Sequence, residues 1–121
     1  MNIRIDDNLS LLSVQQEFHQ VFPYLRINFF ETIKTRTGTI QKKLLDKSER
    51  VFAEFIVEDR ETPIIITPEL SVSELVKQIT ESYRLEIQMS RKSGRIWLET
   101  SATDSWTLEM QNKQGEALNF D

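Results

Sequence analysis

The sequence predicts a single α+β domain. Three observations predict it. Twice along the chain, apolar residues alternating with period two give way to a stripe with helical spacing and then return to alternation. Each stripe follows a serine placed to cap a helix. The two stretches also align with each other, cap for cap. At 121 residues one domain is the default, and a chain of this size buries roughly two thirds of its unfolded surface without staples.

The first unit covers residues 3–33. Ile3-Arg4-Ile5 reads as a short strand. Ser10 is the N-cap of the first helix, with Leu9 and Val14 at the staple positions. Leu11, Val14, Phe18, Val21 and Phe22 form its apolar stripe. Pro23 ends it, because the proline ring disfavours the α conformation at the residue before it. Leu25, Ile27 and Phe29 then alternate with Arg26, Asn28 and Phe30 in a strand running into Ile33.

Residues 34–62 connect the units. Lys34–Thr39 reads as a polar loop, and Ile40, Leu44 and Leu45 show only weak periodicity. Val51, Phe52, Phe55 and Ile56 make a stripe, so a short helix is expected from about Glu49 to Ile56; a strand over Val51–Val57 is the alternative. Glu58–Thr62 reads as a charged turn into Pro63.

The second unit covers residues 63–100. Ile64–Ile66 is its first strand. Ser71-Val72-Ser73-Glu74 fits a capping box, with Leu70 and Leu75 at the staple positions. The helix should run from about Val72 to Tyr83. Leu85, Ile87 and Met89 form the buried face of the next strand. Ser93-Gly94 suits a two-residue hairpin turn, setting Met89 opposite Leu98 and Arg91 opposite Ile96. Ile96, Leu98 and Thr100 would then join the core face, and Trp97 would face away from it beside Ser90. A last helix is expected from Ser105 to Lys113 within residues 104–115, capped by Asp104 and closed by Gly115.

Aligning residues 3–22 with 64–83, and 24–29 with 84–89, gives six identities: Ile3/Ile64, Ile5/Ile66, Leu9/Leu70, Ser10/Ser71, Leu25/Leu85 and Ile27/Ile87. Two β-α-β units in tandem suggest a ferredoxin-like sheet with both helices on one face. The hairpin strand would extend one edge. A ubiquitin-like fold is the alternative.

The composition excludes several classes. With no cysteine, disulfides and thiolate chemistry are out. A net charge of −4 argues against nucleic acid as partner. No apolar run is long enough to span a bilayer, and a cytoplasmic location is the simplest expectation. His19 stands alone as histidine, and no carboxylates share a zinc-like spacing with it. Gly38 lies in a Thr/Arg/Lys-rich loop, yet neither phosphate-binding glycine pattern is present. Asp6-Asp7 and Glu58-Asp59 are most simply turn residues. No cofactor and no catalytic residue is expected.

Arg91-Lys92-Ser93-Gly94-Arg95-Ile96-Trp97-Leu98-Glu99-Thr100, followed by Asp104-Ser105-Trp106-Thr107-Leu108-Glu109, Gln111-Asn112 and Gly115, resembles the end of a family of small uncharacterised bacterial proteins. The likeness spans about residues 63–115. It implies a compact domain ending and brings no activity with it.

The two tryptophans are the sharpest feature. An outward Trp97 needs either a cover, which Trp106 or Met110 of the last helix could supply, or a partner. Trp97 and Trp106 with a rim of Arg91, Lys92 and Arg95 have the make-up of a protein-binding hot spot. The expected function is therefore a non-enzymatic protein-interaction domain, with a second copy of the chain among the candidate partners. One alternative is a nucleic-acid or phosphate binder using the basic residues between Lys34 and Arg50. The other is an enzyme, for which no nucleophile–base pair is visible.

Overall fold

The computed structural model describes residues 2–59 and 62–118. The chain runs β1 (Ile3–Ile5), α1 (Leu11–Val21), β2 (Leu25–Lys34), β3 (Ile40–Leu44), a 3₁₀ turn (Phe52–Phe55), β4 (Ile64–Ile66), α2 (Val72–Ser82), β5 (Leu85–Ser93), β6 (Ile96–Glu99), a second 3₁₀ turn (Ser101–Thr103) and α3 (Leu108–Ala117). This is an α+β domain, as expected. The charged turn expected over Glu58–Thr62 includes Arg60 and Glu61, which lie outside the described residues.

The strands do not form the single ferredoxin-like sheet that two β-α-β units suggest. β1 pairs only with β4, and the others form an antiparallel sheet in the order β3-β2-β5-β6. The reason is that like pairs with like. Arg4 lies opposite Ile65 at the centre of the β1–β4 ladder, and Asn28 lies opposite Gln88 in the β2–β5 ladder. Both are matched positions of the repeat, so each ladder is self-complementary about a pseudo-twofold.

The repeat reaches further than the sequence alignment. The Leu11 and Leu12 amides donate to the carbonyls of Arg50 and Ser48, and those of Val72 and Ser73 to Trp106 and Asp104. Phe52 N–H donates to Leu9 C=O as Leu108 N–H does to Leu70 C=O. Each unit is thus strand, helix, hairpin and a returning segment that satisfies the orphan amides of its own helix.

These bonds correct the expected helix over Glu49–Ile56. Ser48 and Arg50 must present their carbonyls to α1, and only Phe52–Phe55 coil. They also correct the start of the last helix. The Asp104 carbonyl is used by Ser73, and Thr107 Oγ1 caps α3 by accepting from Met110 N–H at 3.1 Å. Gly115 is not a C′ residue but lies buried inside α3, against Tyr24.

Of the three residues of the last hairpin strand expected on the core face, only Thr100 is buried; Ile96 and Leu98 remain 59% and 42% exposed, because no element packs over that edge of the sheet among the described residues. The caps and the apolar stripes of the first two helices form as expected. Ser10 and Ser71 cap α1 and α2 by accepting from Ser13 and Glu74 amides, each at 3.1 Å. The Glu74 carboxylate accepts from the Ser71 hydroxyl at 2.9 Å. Leu11, Val14 and Phe18 from α1, Val72, Leu75 and Ile79 from α2, and Leu25, Ile27, Phe29, Leu85, Ile87 and Met89 from the sheet form one core with Phe52, Phe55 and the isoleucines of β1 and β4. Phe52 stands edge-on to Phe29 and Tyr83, with ring centroids 5.5 and 5.2 Å away.

Ile40–Leu44, where the sequence shows only weak periodicity, is an edge strand exposed along its whole length. The second hairpin turns at Gly94-Arg95, with Ser93 opposite Ile96 and Arg91 opposite Leu98. Gly94, at φ 64°, takes the first loop position of a two-residue turn that favours glycine there. The register therefore differs by two residues from the expected one, and every side chain keeps its face.

Candidate interaction surface

One face of the four-stranded sheet carries the core. The other meets solvent. Alternation places Arg26, Asn28 and Phe30 of β2, Glu86, Gln88, Ser90 and Lys92 of β5, Lys42 and Leu44 of β3, and Trp97 and Glu99 of β6 on that open face. Ile40 and Leu44 are exposed there, and Phe30, opposite Leu44, is half-buried.

Two diagonal pairs cross this face about the Asn28–Gln88 centre. Lys42 of β3 reaches over to Glu86 of β5, with Nζ 2.6 Å from Oε2. That carboxylate, through its hydrogen bond and its charge, holds the Lys42 ammonium above the ordinary lysine pKa. Trp97 of β6 reaches the other way, and the Arg26 guanidinium of β2 lies 4.1 Å from the centre of its ring. Ser90, between them on β5, is buried.

His19 continues the cluster. Its ring centre is 6.4 Å from that of Trp97, and Nδ1 is 3.2 Å from the Leu25 carbonyl oxygen. The contact has a backbone cause. Tyr24 C=O accepts from Lys92 N–H, so even-numbered residues of β2 bond to β5 and odd-numbered ones point to the opposite edge. β3 serves that edge only from Phe29 onward. The carbonyls of Leu25 and Ile27 are left to α1, which offers His19 to the first and Gln15 Nε2, at 3.0 Å, to the second. A groove of about 1000 Å³ runs along this edge, lined by Gln15, His19, Arg26, Asn28, Asp46 and Lys47 among others.

The five residues expected to form one surface are divided. Trp97 and Lys92 are opposite each other on the open face. Arg95 is exposed in the hairpin turn. Arg91 alternates to the core side, where its guanidinium carbon lies 5.6 Å from the Trp106 ring centre and Nη1 donates to Gln111 Oε1 at 2.8 Å. Trp106 precedes α3 rather than lying on it. Of the two alternatives for Trp97, cover by the last helix is not what forms: α3 seats Gly115 on Tyr24, while the Trp97 ring lies against the Arg26 guanidinium with the His19 ring nearby.

Within the basic stretch from Lys34 to Arg50, Lys42 is paired with Glu86. Arg50 is held by Glu31 and Glu54 at 3.4 and 3.2 Å. Lys42 and Lys43 alternate to opposite faces, so the stretch presents no single basic stripe. Among the described residues, no three His, Asp or Glu side chains are grouped as metal ligands would be, and no helix is long and apolar enough to cross a membrane.

Arg26 and His19 are the site residues that sequence reasoning missed. The available signal was the repeat itself: centring the β2–β5 pairing on Asn28 and Gln88 puts Arg26 opposite Ser90, beside the strand that carries Trp97. Comparison with protein-family models, with curated proteins and with solved structures finds no match to this chain.

Proposed function

We propose that this domain is a non-enzymatic protein-interaction module whose docking surface is the open face of the four-stranded sheet, centred on Arg26 and Trp97. The observation that carries the reading is the position of Trp97: partly exposed, on a sheet face that meets solvent, stacked on an arginine. Trp and Arg are the residues most enriched in binding hot spots, and polar neighbours such as Asn28, Gln88 and Lys92 supply the rim such spots carry. A net charge of −4 and the pairing of Lys42 and Arg50 with carboxylates favour a protein partner over a polyanion.

The test is capture from a lysate of the native host by immobilised wild type and by Arg26→Glu, with circular dichroism to show that the variant is folded. A protein retained by the wild type and lost by the variant supports the reading. Equal retention by both moves the interface off this face, and retention of nothing by either removes the basis of the proposal.

A further inference from the structure

We propose that a second copy of this chain pairs with it through the open edge of β6, antiparallel and with Trp97 on the twofold axis. The inference rests on the interaction reading and names one partner for it.

The backbone sets the first condition. Met89 C=O accepts from Thr100 N–H at 3.0 Å, so even-numbered residues of β6 bond to β5. The N–H and C=O of Trp97 and Glu99 therefore point out of the sheet. An isologous edge pairing must place these outward residues opposite one another. Setting Trp97 against Trp97 of the second copy does so, and the two chains exchange hydrogen bonds at that position.

The side chains then match. In this register Arg95, in the turn immediately before β6, comes beside Glu99 of the other copy, twice by symmetry. Ile96 meets Leu98, also twice, on the opposite face. Ile96 and Leu98 are 59% and 42% exposed in the single chain, and both members of the charge pair are exposed. Apolar pairs directly across a ladder, and opposite charges brought together at its end, are favourable combinations.

The other edge of the sheet supplies the comparison. β3 stands to the first unit as β6 does to the second, and Lys42 takes the place of Trp97. Centred self-pairing of β3 sets Lys42 against Lys42 and leaves Lys43 near its own copy. A lysine on an edge strand is a common guard against such pairing. One edge is thus blocked and the other self-complementary, so the assembly closes as a dimer instead of growing. Because the axis is perpendicular to the sheet, both open faces lie on the same side. The two Arg26–Trp97 clusters join in one surface on an eight-stranded sheet.

Sedimentation velocity across the micromolar range tests this. Wild type should show a concentration-dependent dimer. Arg95→Glu and Glu99→Arg should each weaken it by about tenfold or more, since each turns two attractive pairs into repulsive ones. Mixing the two variants in equal amounts restores opposite charges at both positions and should restore the dimer. Both residues are exposed, so both variants should keep the wild-type circular dichroism spectrum. A wild type that stays monomeric throughout, a dimer indifferent to both substitutions, or a mixture that fails to dimerise would each overturn the proposal. A monomer that still retains a lysate protein lost in Arg26→Glu removes the dimer alone and leaves the interaction reading standing.

Discussion

Trp97 stands in the second unit where Lys42 stands in the first. Both occupy the middle of the outermost strand, and both reach diagonally across the open face to a partner two strands away, Trp97 to Arg26 and Lys42 to Glu86. Arg26 and Glu86 are themselves matched positions of the repeat. The fold therefore offers the same site twice, once as an ion pair and once as a cation over an indole.

The ion pair has a pH signature. Glu86 holds the Lys42 pKa above its ordinary value. For a group raised in the folded state, the linked stability is fully present below the unfolded pKa. It is lost as pH rises through the folded pKa. Neutral pH leaves the contribution intact, and only the alkaline range erodes it. In Glu86→Gln the Lys42 pKa should fall back toward the usual lysine range. An NMR titration of the lysine side-chain signals checks this, and an unchanged Lys42 midpoint would mean the pair does not persist in solution.

Gly115 is a packing requirement rather than a helix end. A Cβ built there would lie 2.7 Å from Tyr24 Cβ, 3.2 Å from Arg91 Cγ and 3.3 Å from the Tyr24 carbonyl oxygen. Alanine is the better helix former by about 1 kcal/mol, yet overpacking of this kind typically costs about 1–3 kcal/mol. Tyr24 is fixed as well, since its N–H donates to Asn112 Oδ1 at 2.9 Å. Gly115→Ala should therefore destabilise in urea unfolding. A stabilised variant would show that α3 does not rest on Tyr24 as described.

What the sequence revealed and what it hid follow physical lines. The first two helices α1 and α2, their caps and the outward face of Trp97 were legible, because each is a local pattern of polar and apolar spacing. β3 was hidden because all five of its residues are exposed and no buried face marks it. The hairpin register slipped by two because such a slip leaves every residue on its own face; only the position of Gly94 in the turn distinguishes the alternatives. The division into two sheets depends on pairings between the units, which alternation within a strand does not encode. The short helix expected from Glu49 lost to a tertiary demand, the need of the α1 amides for the carbonyls of Ser48 and Arg50.

The two helix caps should carry equal weight. Ser10 and Ser71 accept from the third residue beyond them with the same 3.1 Å geometry. Each substitution to alanine should cost about 1 kcal/mol. The double variant should lose close to the sum, because distant sites usually add. Thermal or urea unfolding of the three variants measures this. A much larger loss at Ser71 would show that its bond to Glu74 matters more than the shared cap.

Gln111 is the buried polar group on which the end of the chain depends. It is fully buried, accepts from Arg91 Nη1 and donates from Nε2 to both the carbonyl and the hydroxyl of Thr103, at 2.7 and 2.8 Å. Among the described residues, Arg91 Nε is buried without a hydrogen-bond partner, so Gln111 is a principal compensation for that guanidinium. Gln111→Leu keeps much of the volume but strands the Arg91 guanidinium, at an expected cost of about 1–3 kcal/mol for an unpaired buried group; Thr103 keeps Trp106 N–H on its carbonyl and its own hydroxyl bond to Thr100 C=O. Arg91→Met in the same chain removes the stranded group and should recover part of the loss, since removing both partners of a buried pair costs less than removing one. A double-mutant cycle by chemical denaturation reads the coupling directly. Additive losses, with no recovery in the double variant, would mean that Arg91 and Gln111 act independently and that Trp106 alone holds the guanidinium in place.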